Sequence, residues 1–179
     1  GSEMCIRDRL YSNGKGRIDL GYVDYFFNDF TVDLWVKPMN DGVLLANRQK
    51  EYDKGAKGWL LFVENGTLKF RYSPSNQFNK PTYEPASDEQ KTIEGGKLNM
   101  GEWAHVAITE KRDGSIRLYV NGMLTGEGER YRREHTLNNS TYLSLFADAF
   151  EYAPIEAAVD ELKIWNYELN EEEIRREMY

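Results

Sequence analysis

The sequence predicts an all-β protein, a sandwich of antiparallel strands closed by one short C-terminal helix. Three observations carry this. Apolar and polar residues alternate with period two in segment after segment. Turn dipeptides of the Asn-Gly and Asp-Gly kind punctuate those segments. Only the last ten residues collect the start signals of a helix. At 179 residues the chain has the length of about one domain, and neither an internal repeat nor a linker-like stretch divides it.

Taken from the N-terminus, Gly1-Ser2 reads as an expression scar and the following EMCIRDR as a non-native leader. Residues 1–9 are therefore set apart from a domain spanning residues 10–179. In GRIDLG, Ile18 and Leu20 share one face and Arg17 and Asp19 the other. FTVDLWVKP points Phe30, Val32, Leu34 and Val36 inward and Thr31, Asp33, Trp35 and Lys37 outward; Pro38 ends the ladder. GWLLFVENGTLKFRYS is a hairpin turning at Asn65-Gly66, a pair suited to a type I′ turn. Its second arm buries Leu68, Phe70 and Tyr72.

GEWAHVAITEKRDGSIRLYVNGML holds three strands. Ala104, Val106 and Ile108 face inward against Trp103, His105 and Ala107. After a turn at Asp113-Gly114, Ile116, Leu118 and Val120 face inward, and Asn121-Gly122 starts the next hairpin. TYLSLFA buries Leu143 and Leu145, and AAVDELKIWN buries Leu162 and Ile164. The helix begins at Asn170, with Glu173 completing a capping box and Leu169 and Ile174 at the staple positions. Residues 73–100 and 124–141 show no periodicity and read as long connections.

Composition narrows the function. Lys+Arg 23 against Asp+Glu 30 gives a net charge of −7, without the basic footprint that nucleic acid or an anionic membrane surface requires. No apolar run reaches the ~18 residues of a membrane span. Two histidines, His105 and His135, leave little material for imidazole-based metal or triad chemistry, and the lone Cys5 excludes an internal disulfide or a cysteine-ligated zinc. Aromatics are abundant instead, with 12 Tyr, 8 Phe and 4 Trp, which suits recognition by stacking.

FTVDLWVKP, GEWAHVAITEKRDGSIRLYVNG and AAVDELKIWNYELNEEEIRREM, in that order and spacing, resemble the laminin G-like, concanavalin A-like lectin/glucanase superfamily over about residues 10–179. The resemblance implies a jelly roll of two curved antiparallel sheets. It also implies an extracellular or cell-surface setting, commonly in bacterial secreted proteins. Its members bind glycans, bind proteins, act as spacers or cleave polysaccharides, so fold alone does not assign a function.

For metal, the resemblance points to Asp160, whose family counterpart often holds a structural Ca²⁺ with help from the first strand region. Counting back from Leu162 and Ile164 also places Asp160 on the inward parity, where a carboxylate needs a cation or several N–H donors. Asn13 stands where many relatives carry Asp before Gly14, and an amide is the weaker ligand. Two readings of Asp160 stand side by side: a calcium ligand assisted by Asn13, and a carboxylate satisfied by backbone amides.

For ligand binding, outward parity collects Trp35, Arg71, Trp103, His105, Arg117 and Tyr119. EWAHVA recurs in the family irrespective of ligand, which leaves Arg71 and Tyr119 as the candidates. The loops offer a second surface in Arg48, Tyr52 and Trp59, then Phe78 and Tyr83, then Asp148 and Tyr152. Glycosidase chemistry needs two facing carboxylates, and EAAVDE has the wrong spacing for the family's catalytic run. The expectation is a non-catalytic module that binds a polysaccharide or other glycan. A protein-binding or spacer module is the first alternative and a polysaccharide-cleaving enzyme the second.

Overall fold

The computed structural model describes residues 3–48, 57–73, 91–112, 114–129, 136–139, 141–147 and 154–179. In chain order the elements are β1 (Glu3–Ile6), β2 (Leu10–Asn13), β3 (Ile18–Gly21), β4 (Phe30–Pro38), β5 (Gly42–Arg48), β6 (Gly58–Glu64) and β7 (Thr67–Ser73). They continue with β8 (Lys91–Lys97), β9 (Ala104–Glu110), β10 (Ile116–Val120), β11 (Met123–Gly128), β12 (Leu143–Leu145), β13 (Glu156–Trp165) and α1 (Glu171–Glu177). Seven strands form sheet A in the order β1-β13-β4-β9-β10-β11, with β2 also pairing with β13; six form sheet B in the order β3-β12-β5-β6-β7-β8. Every strand pair is antiparallel. The chain is the all-β antiparallel sandwich that the alternation predicted, consistent with the jelly roll that the resemblance implied.

The core lies between the sheets, where the inward rows meet. Val32, Leu34, Val106, Ile108, Leu118 and Ile164 from sheet A face Leu45, Trp59, Leu61, Leu68, Phe70 and Leu145 from sheet B, all buried. Each such aliphatic or aromatic side chain is worth about 1.5–3 kcal/mol on leaving water. That explains why alternation fixes the strand faces so strongly. Both two-residue turns have positive φ at each position, Asn65 and Gly66 at 52° and 72° and Asn121 and Gly122 at 50° and 77°, as a type I′ turn requires. At α1 the Asn170 side chain accepts from the Glu173 N–H, and Glu173 accepts from the Asn170 N–H.

The structure also adds strands that the alternation did not announce. Residues 3–6, read as leader, form β1, which hydrogen-bonds to the edge of β13 while Met4 and Ile6 pack on the core. The edge offers unpaired backbone groups, and any short segment with alternate apolar residues can satisfy them. β5 and β8 arise where no strand was predicted. β5 carries nearly continuous apolar residues, VLLA, because both of its faces are buried, which abolishes alternation. β8 is polar and glycine-containing, with Ile93 as its one large core residue.

Asp160 faces the opposite way from the parity argument. Ala157 and Val159 point into the core before it, and Leu162 and Ile164 point in after it. The switch from odd to even comes from a bulge between Asp160 and Lys163, with Glu161 at φ 52°. One extra residue reverses the faces. Asp160 therefore pairs with the outward Trp35 and leaves the core altogether.

Candidate functional site

The outer face of sheet A, expected to be free, is roofed over part of its area. Segment 165–170 and α1 lie over β4, β9 and β10, burying Ala107 and Tyr119 beneath Leu169 and Ile174. Asp33 and His105 are also buried there. His105 Nε2 lies 3.0 Å from Asp33 Oδ1, and Trp165 Nε1 donates to Asp33 Oδ2 at 2.8 Å. Thr31 Oγ1 donates to the Tyr167 carbonyl and accepts from the Leu169 N–H. Lys163 Nζ reaches Glu177 at 2.6 Å. Burial works against that ammonium, yet the Glu177 hydrogen bond and the Asp33 charge hold its pKa above the usual lysine value. The cluster clamps the helix to the sheet. Tyr119, predicted as a ligand contact, is 4% exposed under that helix and has no face to offer.

Trp59 likewise does not stand on a ligand surface. It is fully buried between the sheets, edge-on to Phe26 and beside Phe70. Arg71 lies on sheet B, not with Trp35, His105 and Tyr119 on sheet A. Its guanidinium sits 4.8 Å over the Phe62 ring and its Nε donates to Thr92 Oγ1. Burial lowers the Arg71 pKa, with Glu64 acting against the shift and the charge of Arg48, half-buried on the same sheet, adding to it. Arg48 on β5 and Arg71 on β7 are separated by β6. Tyr52, Asp148 and Tyr152, like Phe78 and Tyr83, lie outside the described residues.

The two metal candidates do not converge. Asn13 pairs with Glu156, four residues before Asp160 on β13, about 13 Å away at ~3.3 Å per residue. Asn13 Oδ1 accepts from the Lys15 N–H, closing its own turn. Asp160 Oδ1 accepts from the Glu161 N–H and Oδ2 from Arg9 Nε at 3.1 Å. Calcium needs six to eight oxygens at one point. A carboxylate already engaged by a guanidinium, far from its expected partner, does not fit that group. Among the described residues no set of three His, Cys, Asp or Glu gathers in ligating range.

A concave surface does form where the chain crosses from sheet A to sheet B. Tyr11, Ser12, Asn13, Lys15, Gly16, Arg17, Ile18 and Phe146 line a cleft of about 490 Å³, within the usual ~300–1,000 Å³ range for ligand pockets. Alternation on β2 places Ser12 inward and buried and leaves Tyr11 and Asn13 outward. The Gly14 N–H donates to Ser12 Oγ, and Gly14 adopts φ +86°, so the turn presents Lys15 and Arg17 at the rim. Tyr11 is 60% exposed, yet its hydroxyl is fixed by a 2.7 Å hydrogen bond to Glu156 Oε1, which raises the phenol pKa. Arg17 meets Asp19 at 3.1 Å.

Chemically this is an immobilised aromatic face beside amide, ammonium and guanidinium donors. It can stack an apolar ring face and hydrogen-bond hydroxyls around it. Sequence reasoning placed Asn13 here, though as a metal ligand, and missed Tyr11, Lys15 and Arg17. The available signal was a tyrosine on the outward parity of a short strand, next to an Asn-Gly turn.

Comparison with known proteins agrees with the fold. Residues 12–175 match the family described as the Concanavalin A-like lectin/glucanases superfamily, laminin G type. No curated protein sequence matches. Among solved structures, the chain resembles the binding domain of Paraclostridial Mosquitocidal Protein 1, with TM-score 0.67 and 18% identity, covering 97% of this chain and 44% of that one. It resembles botulinum neurotoxin type C, in a structure titled for cell entry through two ganglioside molecules, with TM-score 0.65 and 13% identity over 98% and 45% of the chains. It resembles domain 4 of AbnA, an extracellular GH43 arabinanase from Geobacillus stearothermophilus, in complex with arabinotriose. There the TM-score is 0.66 and the identity 16%, over 100% and 82% of the chains. The chain spans less than half the length of the toxin chains.

Proposed function

Because the chain belongs to the Concanavalin A-like lectin/glucanases superfamily, we propose that it is a non-catalytic carbohydrate-recognition module of a secreted or surface-exposed, bacterial protein. The observation that carries this reading is the cleft at Tyr11, a pinned and exposed aromatic ring with Asn13, Lys15 and Arg17 around it. The glycans named for the ganglioside-dependent toxin and the arabinotriose-bound arabinanase domain support the ligand class. They equally favour an extracellular setting. No helix among the described residues is long and apolar enough to cross a membrane.

The outward carboxylates of β13 support a binding rather than a cleaving role. Glu156 and Asp160 are four residues apart on one strand, about 13 Å, beyond the ~6.5–9.5 Å that even an inverting pair spans. Each is engaged by a neighbour, Tyr11 and Arg9 respectively.

The test is retention on a glycan array and in polysaccharide-loaded gels, with the folded chain and with Tyr11→Ala. The wild type is expected to be retarded by at least one glycan. Loss of a stacked aromatic is expected to weaken that by about 10-fold. A folded chain that binds no glycan, or a Tyr11→Ala variant indistinguishable from wild type, refutes the reading.

A further inference from the structure

The far end of β3 carries a second exposed aromatic arrangement that the cleft does not include. Leu143 on β12 pairs with Gly21 on β3, so the next positions outward on this antiparallel ladder are Tyr142 and Tyr22. Their rings meet edge to face, with centroids 4.7 Å apart and planes at 83°. Cross-strand pairing of two tyrosines stabilises a sheet end, but it does not require exposure, and these are 49% and 64% exposed. In a T-shaped pair the ring that presents its edge keeps both of its faces clear of its partner.

The polar surroundings are specific. Val23 is buried, while Tyr22 and Asp24 on either side of it are exposed. Asn138 Nδ2 donates to Asp24 Oδ1 at 3.2 Å, which leaves the second carboxylate oxygen for another donor. Within the described parts of 22–24 and 136–142, the exposed large apolar side chains are the two tyrosines. A protein partner would require a broader apolar patch. A ring face beside an oriented carboxylate instead matches a sugar ring, apolar across its C–H face and hydroxylated at its rim. The carboxylate beside the ring and the chain's net charge of −7 disfavour an anionic ligand.

We propose that Tyr22 and Tyr142, with Asp24 and Asn138, form a second glycan subsite selective for neutral sugars. This rests on the reading of the chain as a carbohydrate-binding module. Stacking on the open tyrosine face supplies the contact, and Asp24 accepts from a sugar hydroxyl.

The experiment uses the whole chain against neutral pentose and hexose oligosaccharides of about three to six rings, with sialylated and sulfated ones as the opposing arm. Tyr22→Ala and Tyr142→Ala are each expected to weaken neutral binding about 10-fold. Tyr22→Phe, which keeps the ring, should bind as wild type. Should an alanine variant misfold, wild-type chain labelled with ¹³C on its tyrosine rings supplies the readout, and the Tyr22 and Tyr142 signals are expected to shift on titration. Unshifted signals, or both alanine variants binding like wild type, overturn the second subsite; if Tyr11→Ala still weakens binding, the module reading survives that result. Binding confined to the anionic arm overturns it too, as does a dimer that Tyr22→Ala dissolves, since a second copy would then be the occupant. A folded wild type that binds nothing overturns both readings.

Discussion

Asp33→Ala tests whether the buried cluster beneath α1 is a structural clamp. The carboxylate is 1% exposed and accepts from Trp165 Nε1 at 2.8 Å and from His105 Nε2 at 3.0 Å. Removing it strands two donors away from water, at about 1–3 kcal/mol each. It also takes a negative charge from beside Lys163. A total of about 3–5 kcal/mol is what breaking one side of a buried charged network typically costs. At about 2.1 cal/mol/K per residue, the unfolding entropy of a 179-residue chain is roughly 0.38 kcal/mol/K, so Tm should fall by about 8–13 °C. Asp33→Asn should lose about half as much, because one acceptor oxygen survives and the imidazole can exchange its tautomer. The assay is thermal unfolding by circular dichroism, alongside glycan retention of the folded fraction. A Tm within ~2 °C of wild type would refute the clamp. So would lost glycan retention at unchanged Tm, which would make Asp33 part of a binding site.

Further outcomes follow from other contacts. Asn170→Ala removes the side-chain half of the capping box and should cost about 1 kcal/mol, a Tm loss of roughly 3 °C by calorimetry. Burial, with the charges of Glu129 and Glu110 behind it, pushes the Tyr72 pKa well above the ordinary tyrosine value. The folded chain therefore keeps that proton where the unfolded chain releases it, and stability should decline as pH rises past ~10. Denaturant titrations should show this alkaline slope reduced in Tyr72→Phe. Adding calcium to chelator-treated chain should leave Tm unchanged, because Arg9 and the Glu161 N–H engage Asp160. A calcium-dependent rise that Asp160→Asn abolishes would restore it as a ligand.

The legibility of the site differed from residue to residue. Arg48 and Arg71 were both singled out, and both lie on sheet B, on β5 and β7 with β6 between them. Trp59 and Tyr119 looked like recognition aromatics because sequence reports residue type and parity, not cover. Trp59 borders a loop in sequence but packs between the sheets, and Tyr119 points outward only to meet α1. Tyr11, Tyr22 and Tyr142 went unnoticed because they sit on or beside strands of three or four residues, too short for alternation to declare a face.

The amino-acid sequence by itself determined the strand faces of β4, β7, β9 and β10, the two type I′ turns and the capped helix. Each rests on interactions between residues near one another in the chain, or on burial that repeats every second position. Tertiary structure alone decided which strands share a sheet, that α1 covers Ala107 and Tyr119 on the outer face of sheet A, and that the bulge at Glu161 turns Asp160 outward to Arg9. Those outcomes depend on partners distant in the chain, such as Arg9 and Asp160, 151 residues apart, and the odd-to-even switch at Glu161 becomes a bulge only once both halves of β13 are seen to face one core.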